Sequence, residues 1–228
     1  MGNFIKLQAA DGTAFATYVA EPAGTPRGGV VVLQEIFGVN AHIRAVADGY
    51  AADGYLAVAP ATFVRVKPGV ELGYTTEDVQ AGAALKAAVE ALPAPGVLQD
   101  IQASIDHAAR AGKVGIVGYC YGGLLAWRAA CELDGLSAAA PYYGGGTTTM
   151  AAEMARTPKV PVMAHYGDRD KHIPVDTVQA FQAAHPEVTV HVYAADHGFN
   201  CDHRGSYDAA AATPARERTL AFFRQHLG

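Results

Sequence analysis

The stretch Lys113-Val114-Gly115-Ile116-Val117-Gly118-Tyr119-Cys120-Tyr121-Gly122-Gly123 decides the fold. Residues 113–117 are a short apolar run, the pattern of a strand buried on both faces. The run leads into Gly-x-Cys-x-Gly, and residues 122–133 read as a helix. Strand, tight turn and helix are the setting of a nucleophile elbow. Side chains at Gly118 and Gly122 would collide across such a turn, so both positions call for glycine. The turn pushes the sulfur of Cys120 out at the carboxyl end of the strand. It also sets the sulfur at a helix N-terminus, where backbone N–H dipoles favour a thiolate. The plainer reading is a small buried hydrophobe in a strand–helix turn, and partner residues decide between the two.

Outward from this stretch, strands and helices alternate. Strands are expected at residues 13–20, 28–33, 55–59, 136–140, 160–166 and 188–193. Helices are expected at 40–53, 76–92 (with Thr75 or Thr76 as N-cap), 97–111, 174–184 and 207–227. Residues 60–74 have little periodicity and form either a functional loop or a surface excursion. Such alternation predicts an α/β fold, a mostly parallel sheet with helices on both faces. No repeat, linker or shift in composition divides the chain, so one domain over residues 1–228 is expected.

Composition narrows the function. Of 228 residues, 50% are hydrophobic and 17% charged, enough apolar material for a sizeable core. The formal net charge of −5, without a Lys/Arg cluster, argues against nucleic acid or an anionic membrane as partner. No apolar run approaches the roughly 20 residues of a membrane helix. The first residues lack a basic start followed by an apolar stretch, so a cytoplasmic location is expected. The three cysteines form no disulfide framework. Cys120 and Cys131 lie at the two ends of one predicted helix, about 16 Å apart; a Cys120–Cys201 bridge is compatible with spacing. Zinc-type motifs are missing, so zinc has little support.

A cysteine nucleophile needs a base and an orienting acid. Gly167-Asp168-Arg169-Asp170 follows one predicted strand, and Asp196-His197-Gly198-Phe199 follows the next. Sheet ends gather such loops into one crevice. Among nine histidines, His197 stands out by its place after a strand. His165 and His191 lie in strands and read as structural; His185, His203 and His226 read as solvated. Spacing does not separate Asp168 from Asp170, and either could be a turn residue. Gln34-Glu35-Ile36-Phe37-Gly38 follows the first buried strand, where the backbone N–H of Ile36 could pair with that of Tyr121 as an oxyanion hole. Glu35 either sits on an exposed rim or holds a polar partner inside.

These motifs resemble the dienelactone hydrolase family of α/β-hydrolases. The resemblance runs from Phe4 to about Phe223. It rests on Gln34-Glu35-Ile36-Phe37-Gly38-Val39-Asn40, Gly118-Tyr119-Cys120-Tyr121-Gly122-Gly123 and Tyr142-Tyr143-Gly144. Gly167-x-x-Asp170-x-x-Ile173-Pro174 and His197-Gly198-Phe199 complete it. It implies an α/β-hydrolase fold and a Cys120–His197–Asp170 triad that cleaves a carboxylic ester or (diene)lactone through a thioester. It also implies that Asp170 is the acid, and that Glu35 modulates the ionisation of the cysteine. Phe37, Tyr143, Phe199 and Arg204 become candidate substrate contacts. The family's arginine in the segment corresponding to residues 76–88 is replaced by a single cation, Lys86. A monomer acting on a small ester or lactone, with no metal or organic cofactor, is what the resemblance implies. The alternative is a non-catalytic protein on the same fold that binds a small carbonyl compound or senses oxidation at Cys120.

Overall fold

The chain opens with two antiparallel strands, β1 (Asn3–Gln8) and β2 (Ala14–Ala20). Then come β3 (Gly29–Leu33), α1 (Ala41–Ala52), β4 (Leu56–Pro60), α2 (Thr76–Glu90) and α3 (Leu98–Ala108). The second half holds β5 (Val114–Tyr119), α4 (Tyr121–Glu132), β6 (Leu136–Tyr142), the single turn α5 (Ala151–Met154) and β7 (Met163–Gly167). It ends with α6 (Val175–Ala184), β8 (Thr189–Tyr193) and α7 (Ala209–His226). The computed structural model describes all of residues 1–228.

The strands form one eight-stranded sheet in the order β1-β2-β4-β3-β5-β6-β7-β8. Only β1 and β2 run antiparallel to their neighbours; β4 through β8 and β3 are mutually parallel. β3, β4 and β5 bury every residue, which is why they read as unbroken apolar runs rather than alternating ones. Helices cover the sheet in two sets. α1 and α7 meet through Asp53–Arg216 and through Tyr50 against Phe223. α3 packs on α4, and Trp127 of α4 meets Phe181 of α6.

The chain leaves β3 for β4 on one side and returns to β5 on the other. This reversal opens a crevice at the carboxyl ends of β3 and β5, where ligands bind in open α/β sheets. Caps mark the helices around it. Asn40 accepts from Ile43 N at the start of α1, and Thr75 and Asp78 form a reciprocal capping box on α2.

The structure adds β1 ahead of the strand that patterning predicts at 13–20. β1 is an edge strand with no fully buried residue, so its apolar signal is weak. The predicted helix at 97–111 is α3 followed by a 3₁₀ turn at Ala109–Ala111. The predicted helix at 207–227 begins at Ala209, where the Asp208 side chain caps two backbone N–H groups. No helix is long and apolar enough to cross a membrane.

Candidate active site

β5 delivers Cys120 to the crevice. The residue has φ 55° and ψ −113°, a left-handed conformation rare outside glycine. The glycines around it allow this. A Cβ on Gly118 would overlap the Gly122 carbonyl, and one on Gly122 would overlap the Leu33 carbonyl. The elbow is thus pressed against the end of β3. Cys120 is also the N-cap residue of α4, and its side chain makes no capping hydrogen bond. All three cysteines are free, so no Cys120–Cys201 bridge exists. Cys201 is buried and its Sγ donates to Tyr74 Oη at 3.4 Å.

Asp170 and His197 meet beside Cys120. His197 Nδ1 lies 2.7 Å from Asp170 Oδ2. The other carboxylate oxygen, Oδ1, accepts from the backbone N–H of His172 and Ile173. Both side chains are buried. Tyr143 and His172 stand edge-on to the imidazole, their rings 5.1 and 5.2 Å from it. Burial works against a charge on His197. The nearby Cys120 and the hydrogen-bonded Asp170 outweigh it and push the pKa up to about 10. Asp168 faces away, half exposed, 3.9 Å from Arg169. Asp196 binds the His197 backbone N–H. Of the two aspartates left open by spacing, Asp170 is the one bonded to His197.

The loop after β3 forms the opposite wall. The Ile36 N–H makes none of the loop backbone hydrogen bonds, and Tyr121, first residue of α4, has an N–H outside the helical ladder. Residues 60–74 hold this loop up. Leu72 N–H donates to Phe37 O, Gly38 bridges to Glu71, and Asn40 Nδ2 donates to Leu72 O and Tyr74 Oη. Tyr74 packs edge-on to Phe37. Glu35 is buried, not on a rim. Its Oε1 accepts from Arg204 Nη1 at 3.0 Å, so its hydrogen bond goes to the arginine and not to the thiol.

A cavity of about 250 Å³ opens on Cys120 and His197, and Ile36, Phe37, Lys86 and Arg204 line it. Two expected substrate contacts do not reach it: Tyr143 and Phe199 are fully buried. They pack on each other and form the floor under His197. His185, expected in solvent, is buried with Nε2 3.0 Å from Met154 O. His203 is exposed, and His226 is half-buried against Phe222. His172 is a wall residue that spacing missed, although it lies inside the Gly-x-x-Asp-x-x-Ile-Pro motif.

An eight-stranded, mostly parallel sheet with a nucleophile elbow and a post-strand aspartate and histidine defines an α/β-hydrolase. Residues 15–227 match the model of the dienelactone hydrolase family. A Synechocystis protein named "Putative carboxymethylenebutenolidase" is 37% identical over 93% of this chain and 92% of its own. The carboxymethylenebutenolidase of Pseudomonas putida is 35% identical, over 96% of this chain and 94% of its own. The crystal structure of a "Putative Dienelactone Hydrolase" from Klebsiella pneumoniae superposes with a TM-score of 0.82 at 32% identity, covering 99% of both chains. The chain belongs to the dienelactone hydrolase family and is a hydrolase of esters or lactones.

Proposed function

We propose that this chain, acting as one domain, hydrolyses a small anionic ester or enol-lactone through Cys120, His197 and Asp170. The observation that carries the reading is His197, bonded to Asp170 and opening with Cys120 onto the same cavity. His197 takes the Cys120 proton, which leaves a thiolate beside an imidazolium. The thiolate attacks the carbonyl carbon, and the oxyanion is met by the N–H groups of Ile36 and Tyr121. The C–O bond breaks, the leaving oxygen takes the His197 proton, and a thioester remains. Neutral His197 then takes a proton from the attacking water. The tetrahedral adduct expels thiolate, and the acid product loses its proton to solvent. Asp170 holds the ring and stabilises its charge throughout. Arg204 holds Glu35 clear of the thiol.

The cavity is smaller than the usual range for drug-sized ligands, which favours a compact substrate. Two cations line it, which favours an anionic one. Arg204 is engaged by Glu35, whereas Lys86 makes only a cation–π contact with Tyr121 and is the freer of the two. A redox sensor needs no base–acid pair and would leave the Asp170–His197 bond without purpose. The test is hydrolysis of dienelactone and of a panel of small esters by the purified protein, beside Cys120→Ala. Turnover that depends on Cys120 is expected; turnover that survives the substitution would overturn the mechanism.

A further inference from the structure

Beside the Glu35–Arg204 contact, three side chains converge from distant parts of the chain. Glu35 follows β3, His42 is in the first turn of α1, and Cys201 lies between β8 and α7. One potential ligand atom from each lies within 4.8 Å of the other two. All three residues are buried. Two of their polar atoms, Glu35 Oε2 and His42 Nε2, have no hydrogen-bond partner, a rare state for buried groups.

The partnered atoms show which lone pairs are free. Glu35 Oε1 is taken by Arg204, which leaves Oε2. His42 Nδ1 lies 3.0 Å from Asp202 Oδ1. A carboxylate only accepts, so the proton sits on Nδ1 and Nε2 keeps an open lone pair. Cys201 Sγ donates to Tyr74 Oη over a long 3.4 Å contact.

We propose that Glu35, His42 and Cys201 form a binding site for a divalent transition-metal ion of the zinc class. Carboxylate oxygen, imidazole nitrogen and thiolate sulfur are the donors zinc takes, and the sulfur selects against magnesium and calcium. In a tetrahedral site the donors stand about 3.5 Å apart, so small side-chain rotations close the present spacing. Asp202 already supplies the carboxylate–histidine contact that orients a metal-bound imidazole. The fourth position falls to water or Tyr74 Oη. On binding, a metal–sulfur bond forms and the Cys201 proton leaves to solvent, with no change of oxidation state. The carboxylate, the thiolate and Asp202 together balance the dication and Arg204. A surface cleft lined by His42 and Asp202 offers access. The site uses neither Cys120 nor His197 and shares with the hydrolytic reading only Glu35, through its contact with Arg204.

The reduced, chelator-treated full-length protein is titrated with Zn²⁺ by calorimetry and with Co²⁺ by absorption. One Zn²⁺ per chain is expected, and Co²⁺ should show thiolate charge-transfer and tetrahedral visible bands. Cys120→Ala should keep both signals. Cys201→Ser and His42→Gln should lose the cobalt bands and weaken zinc more than tenfold. Asp202→Asn alters an exposed side chain and should weaken zinc by about 10–100-fold; it decides the matter even if the buried variants fail to fold. Failure of the wild type to bind would mean that a buried water fills the space. Binding that survives Cys201→Ser and His42→Gln, or that vanishes in Cys120→Ala, would also overturn the proposal.

Discussion

At the scale of the residue, the site depends on charge held in a dry place. His197 is buried, so water does little for its imidazolium. Cys120 and Asp170 do that work, which is why the pKa rises although burial alone would lower it. A raised pKa means that the protonated form persists to higher pH. The ¹⁵N shifts of His197 should therefore report imidazolium through neutral pH and titrate near the value of about 10. The largest upward influence is the charge of Cys120, so Cys120→Ala should bring that titration down. A titration near 6.5 in the wild type would show that no ion pair exists. Asp170→Asn keeps the shape but removes the acceptor that fixes Nδ1–H. It should lower kcat by about 10²–10⁴ with little change in KM; steady-state kinetics on any accepted ester measures this.

At the scale of the element, α2 is the wall that tunes the pocket. Gly82 packs directly on the Ile36 carbonyl, and a Cβ there would overlap it. Gly82→Ala should strengthen the helix by its propensity, about 1 kcal/mol, yet displace the Ile36 N–H. Thermal unfolding should show a folded protein, while kcat falls more than KM rises. One turn further along, Lys86 lines the cavity. Lys86→Ala should raise KM for an anionic ester several-fold and leave a neutral ester unaffected; equal effects on both would remove its role in charge recognition. Elements of this kind were legible in the chain to different degrees. The buried strands and the elbow show in short range, because apolar runs and Gly-x-Cys-x-Gly are local. The function of residues 60–74 does not, since the Gly38–Glu71 bridge joins positions that no local pattern connects. Glu35 and Arg204 are 169 residues apart in sequence, so no local spacing pairs them. Tyr143 and Phe199 sit in the right motifs, but only packing shows that they lie beneath the site rather than in it.

At the scale of the whole molecule, the second half of the sheet is tied to α7 by a polar network inside the core. His165 of β7 has Nδ1 2.9 Å from Tyr193 Oη of β8 and Nε2 3.0 Å from Thr219 Oγ1 of α7. Thr219 donates to Ala215 O within its own helix and so accepts from His165 and from Tyr142 Oη of β6. Tyr193 Oη in turn accepts from Arg218 and donates to His165 Nδ1. Every member is satisfied only while His165 is neutral. Burial first, with His191 and Arg218 adding to it, holds its pKa well below 6.5. The sign follows directly. Below about pH 6.5 the unfolded chain binds a proton at this position that the folded chain refuses, so stability rises with pH up to that point. His165 alone makes the slope about 1.4 kcal/mol per pH unit on the acid side. Urea unfolding between pH 5 and 7 should show this loss as the pH drops. His165→Gln keeps a neutral hydrogen-bonding side chain and should flatten the slope while costing some stability at pH 7. An unchanged acid slope in that variant would place the acid lability elsewhere. If the slope does flatten, loss of the network should free the β6–β8 half of the sheet before the β3–β5 half that carries Cys120. Hydrogen exchange at pH 5 would then show protection lost first in β7 and β8.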